Sequence, residues 1–74
     1  MTWDDIEDVL FDGTQEQVGM LRCPDCGGNI LFEYDEKNRS FLIKCMRCGY
    51  LSKSHGVHYK PNCVKFWGYK HMIN

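Results

Sequence analysis

No lysine or arginine occurs in residues 1–20, and no aspartate or glutamate follows Glu36. The first twenty residues hold six acids, while eight of the nine lysines and arginines lie from Lys37 onward, so a net charge of −1 conceals two electrostatically opposite ends. Such asymmetry points to a surface for a charged partner, nucleic acid above all, or to an acidic end folded back over a basic one. Long apolar runs are also missing. Triplets such as Val9-Leu10-Phe11 and Phe41-Leu42-Ile43 fall far short of the roughly 18 residues of a membrane-spanning helix, and a soluble protein is expected. The opening residues carry no signal-peptide pattern, and the five cysteines are an odd count. A reducing, cytoplasmic setting is therefore expected, with thiols in preference to disulfides.

The chain is also short. At 74 residues it is expected to be one domain, in the size range where an apolar core alone supplies about 3–5 kcal/mol, so some further staple is needed. The cysteines provide it. Cys23-Pro24-Asp25-Cys26-Gly27-Gly28 and Cys45-Met46-Arg47-Cys48-Gly49-Tyr50 are two C-x-x-C pairs, each followed by glycine, with 18 residues between Cys26 and Cys45. That interval suits two pairs sharing one metal ion. A two-residue spacer lets both sulfurs of a pair turn back to one point about 2.3 Å from the metal, and four thiolates complete the tetrahedron of structural Zn²⁺. Cys23, Cys26, Cys45 and Cys48 are thus the candidate ligands of one structural zinc ion.

These residues resemble the zinc ribbon superfamily, in which two such knuckles at the ends of β-hairpins clamp one zinc. The resemblance covers about residues 21–52 and implies a metal and a fold more than a function.

The rest of the chain reads outward from the knuckles. Thr2 and Asp5 form a capping box with aspartate in place of the usual Glu or Gln, and Trp3, Ile6 and Leu10 make one apolar stripe. A short amphipathic helix ending at Asp12-Gly13 is expected. Thr14-Gln15-Glu16-Gln17 offers a second cap, read as a turn or one helical turn over 14–18, with 19–22 as a strand entering the first knuckle. Ile30, Phe32 and Tyr34 alternate onto one face of a strand. A polar loop at 35–40 turns the chain, 41–44 return it to the second knuckle, and 50–53 leave as a third strand. The expected fold is small α+β. It is a ribbon with a three-stranded antiparallel sheet (21–53), an acidic helical extension (1–20), and an aromatic-basic extension (54–74) packed on the sheet.

In that last segment His55, His58 and Cys63 could be arranged as further metal ligands, but three donors make an incomplete structural set and four cysteines already satisfy one zinc. Cys63 is read as a small buried hydrophobe or free thiol. Val64 to His71 interleave rings with bases. Aromatic faces that stack on bases and lysines that track phosphates are the means by which single strands are bound, which makes Lys60, Lys65, Trp67, Tyr69 and Lys70 the nucleic-acid candidates. Phe66, Trp67 and Tyr69 are equally what a small sheet would use to cover itself.

Enzymatic readings find little. No histidine is followed two residues later by glutamate, as a zinc deaminase requires. The βαβ setting of a thioredoxin-like C-x-x-C is absent, and four cysteines leave a zinc no open position for substrate. The expectation is a non-enzymatic, zinc-stabilised binding module associated with nucleic acid through its basic half. The alternative is a protein-interaction module, an adaptor or toxin-neutralising protein, using the acidic helix or an apolar patch. Rubredoxin-like electron transfer is a third reading, weakened because in that family the Cys-Gly-Tyr knuckle comes first.

Overall fold

The computed structural model describes residues 1–73. Helix α1 (Trp3–Asp12) begins where the capping box places it: the Asp5 amide donates to the Thr2 hydroxyl, and the Thr2 amide donates to the Asp5 carboxylate at 2.9 Å. Those Thr2 bonds hold the Asp5 carboxyl below its ordinary range. The helix stops at Gly13, whose N–H closes on the Val9 carbonyl. A second capping box, Thr14 with Gln17, starts helix α2 (Gln15–Gly19). Residues 19–22 therefore do not form the expected strand. Gly19 completes the helix, and the Leu21 amide bonds back to the Val18 carbonyl at 3.1 Å.

Four strands follow, β1 (Ile30–Asp35), β2 (Ser40–Cys45), β3 (Leu51–Ser54) and β4 (Lys70–Ile73), with helix α3 (Asn62–Trp67) between the last two. The sheet is antiparallel throughout and ordered β3-β2-β1-β4. The expected three-stranded sheet is thus corrected to four. The end of the chain is not simply a tail laid across the sheet: α3 packs on the covered side, while β4 joins the sheet at the edge of β1, with Ile30 opposite Ile73 and Glu33 opposite Lys70.

Alternation decides which side of the sheet is covered. Ile30, Phe32 and Tyr34 of β1 and Phe41 and Ile43 of β2 are buried together with Ile6 and Leu10 of α1, Val18 of α2 and Val64 of α3. All three helices therefore lie on one side. Phe11 meets Phe41 edge to face at 5.0 Å, and Trp67 stacks on His71 at 5.1 Å. The Tyr34 hydroxyl donates to the Val57 carbonyl and ties the segment after β3 to the core. Among the described residues, no buried side-chain nitrogen or oxygen lacks a partner.

Candidate metal centre

The β1–β2 hairpin sets Ile30 opposite Cys45 and so brings the two knuckles together at its open end. Their backbones repeat each other. The Cys23 amide donates to the Gly28 carbonyl at 3.0 Å, and the Cys45 amide donates to the Tyr50 carbonyl at 2.9 Å. The Gly27 amide closes on the Cys23 carbonyl, and the Gly49 amide on the Cys45 carbonyl. Both turns need a left-handed residue directly after the second cysteine, and Gly27 (φ 72°) and Gly49 (φ 81°) supply it without the cost a β-carbon would bring.

The four sulfurs lie within 4.8 Å of one another, an arrangement that could hold a metal ion. Cys23 Sγ is 3.8 Å from Cys48 Sγ, and Cys26 Sγ is 3.4 Å from Cys45 Sγ. Tetrahedral thiolates about 2.3 Å from a central ion stand about 3.8 Å apart, so the donor set fits such an ion with little adjustment. Gly28 is part of the cradle in a second way: a β-carbon there would meet Arg47 Cβ at 2.5 Å and the sulfurs of Cys26 and Cys45 at 3.3 Å.

Backbone amides favour the charged sulfurs unequally. The Cys48 and Arg47 amides both point at Cys45 Sγ at 3.4 Å, the Cys48 amide having the larger effect, and bring that thiol down to about 6. At Cys48 the Tyr50 amide favours the thiolate, but the Cys45 sulfur, burial and the Cys23 sulfur outweigh it and push the thiol up to about 12. Four thiols this close resist ionising together, because each thiolate raises the cost of the next. A divalent cation removes that conflict, and metal binding is then coupled to proton release. Arg47 adds a hydrogen bond from its guanidinium to the Cys26 carbonyl, linking one knuckle to the other.

Two contacts at this end carry no sequence signal of their own. Trp3 lies flat on Tyr50, with centroids 4.0 Å apart and planes 9° from parallel, and its indole N–H donates to the Asp25 carboxylate. Helix α1 is thereby fixed to both knuckles. Only the apolar periodicity of α1 hinted that Trp3 faces inward.

The other candidates fall elsewhere. Cys63 is wholly buried on α3, and burial pushes its thiol up to about 12. His55 and His58 are exposed, His58 lying 2.7 Å from the Arg39 guanidinium. Among the described residues, these three do not form a metal-binding group.

The five nucleic-acid candidates do not gather on one surface. Trp67 packs on His71 on the helix side of the sheet, whereas Lys70 pairs with Glu33 and so points to the opposite side. Tyr69 stacks on Tyr34, lies 5.2 Å from Lys60 Nζ, and donates its hydroxyl to Glu36. Lys65 is exposed on α3. On the acidic helix, Asp4, Asp8 and Asp12 are exposed beside Phe11 and Tyr59 in a shallow groove of about 300 Å³.

No helix is long and apolar enough to cross a membrane among the described residues. No protein-family model, curated protein or solved structure matches the chain.

Proposed function

We propose that the chain is a non-enzymatic protein-interaction module fastened by one zinc ion. Four cysteine sulfurs are a soft, tetrahedral and complete donor set, which suits structural zinc and leaves no position for substrate. The observation that carries the interaction reading is the uncovered side of the sheet. There Leu51 of β3 is 59% exposed and Met72 of β4 is 39% exposed, on a surface that a solvated antiparallel sheet ordinarily keeps polar. Zinc would hold the hairpin that displays them.

Association with nucleic acid through Lys60, Lys65, Trp67, Tyr69 and Lys70 has less support. Trp67 has one face against His71 and Tyr69 one face against Tyr34, while Lys70 stands on the other side of the sheet from Trp67, so rings and lysines do not line one track for a strand. Electron transfer would need iron at the same cysteines.

Metal analysis of the purified protein is expected to give one zinc per chain and no visible absorption. Iron with colour would move the reading to electron transfer. Chemical cross-linking of the tagged chain in its own cells is expected to recover discrete protein adducts. Recovery of nucleic acid alone, with binding to a single-stranded oligonucleotide that falls steeply as salt rises, would restore the other reading.

A further inference from the structure

Each edge strand sets one large apolar side chain and one lysine on the open side of the sheet, Leu51 and Lys53 on β3 and Met72 and Lys70 on β4. On β3, Ser52 and Ser54 point toward the helices while Leu51 and Lys53 point away, because Leu51 lies opposite Lys44 and Lys53 opposite Leu42. On β1, Leu31 lies opposite Lys44 on one side and Met72 on the other. One row thus crosses all four strands as Leu51, Lys44, Leu31, Met72. The next row reads Lys53, Leu42, Glu33, Lys70. The Met46 amide donates to the Asn29 carbonyl at 3.0 Å, which extends the β1–β2 ladder by one pair and sets Met46, 49% exposed, beyond the first row on the same face.

Charge on this face is uneven. Lys44, Lys53 and Lys70 stand on it, against Glu33 and, toward the hairpin tip, Asp35. The row nearest the cysteines holds Lys44 and three apolar side chains and no acid.

We propose that this face docks an acidic amphipathic helix of a protein partner, its apolar stripe along the Leu51–Leu31–Met72 row and its carboxylates against Lys44, Lys53 and Lys70. The inference rests on the protein-interaction reading and names the partner's chemistry. Four strands spaced about 4.8 Å apart offer a floor wide enough for a helix about 10 Å across. The edge strands are short and each carries a lysine, features that discourage strand addition. A phosphodiester backbone supplies no apolar group for the row, and this face presents no ring for a base. A second copy would set the same cations against themselves. The covered side of this very sheet already carries an acidic amphipathic helix, α1, held by apolar packing and by a hydrogen bond from the Ser54 hydroxyl to Glu7. The open side has the complementary chemistry for a helix of the same kind.

The test is an NMR titration of the metal-loaded, ¹⁵N-labelled full chain with a synthetic amphipathic peptide of leucine and glutamate. Its leucine-lysine twin, phosphatidylserine vesicles and an oligothymidylate serve as the comparison arms. Amide shifts centred on Leu31, Lys44, Leu51 and Met72 are expected with the acidic peptide, which should bind at least about tenfold more tightly than its basic twin. A Leu51→Glu/Met72→Glu chain, changed only at exposed positions, should keep its spectrum and lose about tenfold or more in affinity for that peptide. The proposal is overturned by equal affinity for both peptides, or by shifts on this face that appear only with vesicles or oligonucleotide. A dimer in sedimentation that Leu51→Glu dissolves would overturn it in favour of a second copy. Cross-linking in cells separates its failure from that of the reading beneath it. Identical protein adducts from wild type and the double variant sink this face alone, whereas the absence of any protein adduct sinks the interaction reading.

Discussion

The helix-covered core and the cysteine end of the same hairpin are built by opposite means. In the core, Ile6, Leu10, Phe32 and Phe41 are fully buried and the chain holds itself by apolar contact. At the cysteine end the sulfurs sit in backbone turns, with Gly27 and Gly49 at positive φ and Gly28 pressed against Arg47 and two sulfurs. The first region is stabilised by area removed from water; the second gathers four sulfurs that could share one ion. A domain of this size rarely stands on the first alone, so losing the cysteine end is expected to bring the core down, whereas a cavity in the core should leave the cysteine end intact.

The largest effect is expected from removing the metal. Chelation at neutral pH, or Cys45→Ser, should unfold much of the domain, since apparent zinc-binding free energies coupled to folding run roughly 10–16 kcal/mol in small zinc domains. Far-ultraviolet circular dichroism before and after chelator would check it, and an unchanged spectrum would show that the core stands unaided. Phe32→Ala attacks the other support and should cost about 3–5 kcal/mol in urea unfolding, with metal stoichiometry intact in the folded fraction. Loss of metal stoichiometry there would mean that the two regions are one cooperative unit. Gly28→Ala should cost about 1–3 kcal/mol through overpacking, and competition with a chromogenic chelator should reveal weakened metal retention, because the new methyl presses on Arg47 and two sulfurs.

The smallest effect belongs to the cap. Thr2→Ala should cost about 1 kcal/mol. Thr2 holds the Asp5 carboxyl below its ordinary value of 3.8. A carboxyl depressed on folding contributes stability above its ordinary pKa, and that contribution is lost as pH falls through the folded value. Thr2→Ala keeps the backbone N–H that lowers Asp5 most and removes only the hydroxyl's smaller share, so the difference from wild type should be constant at neutral pH and shrink in part below about pH 4; a difference that grew in acid would contradict the cap geometry.

What could be read from the chain in advance was what depends on near neighbours. Thr2 with Asp5, the alternation of Ile30, Phe32 and Tyr34, and the spacing of the cysteines each state their geometry within a few residues. Strand β4 could not be read that way: Lys70-His71-Met72-Ile73 has no clean alternation, and it is a strand because the edge of β1 lies beside it. Helix α3 did have punctuation, Pro61 before it and Gly68 (φ 97°) after it, but alternating rings and lysines drew attention to a ligand instead. A strand is expected over 19–22 because Val18-Gly19-Met20-Leu21 leaves a helix little length before Cys23; the Thr14–Gln17 box prevails and carries the helix through Gly19. The apolar stripe of α1 turns Trp3 inward, but its partner Tyr50 lies 47 residues away in sequence, beyond the reach of any local pattern.

That stack gives the molecule a pair of built-in optical reporters. Of the two tryptophans, Trp3 lies against the ring two residues past Cys48, while Trp67 lies against His71 and borders the apolar core. Emission from a Trp67→Phe chain would come from Trp3, which borders both the cysteine end and the core, and emission from a Trp3→Phe chain would come from Trp67, which borders the core alone. Two spectra, recorded without any attached dye, would time the order in which ion and helices settle on the hairpin.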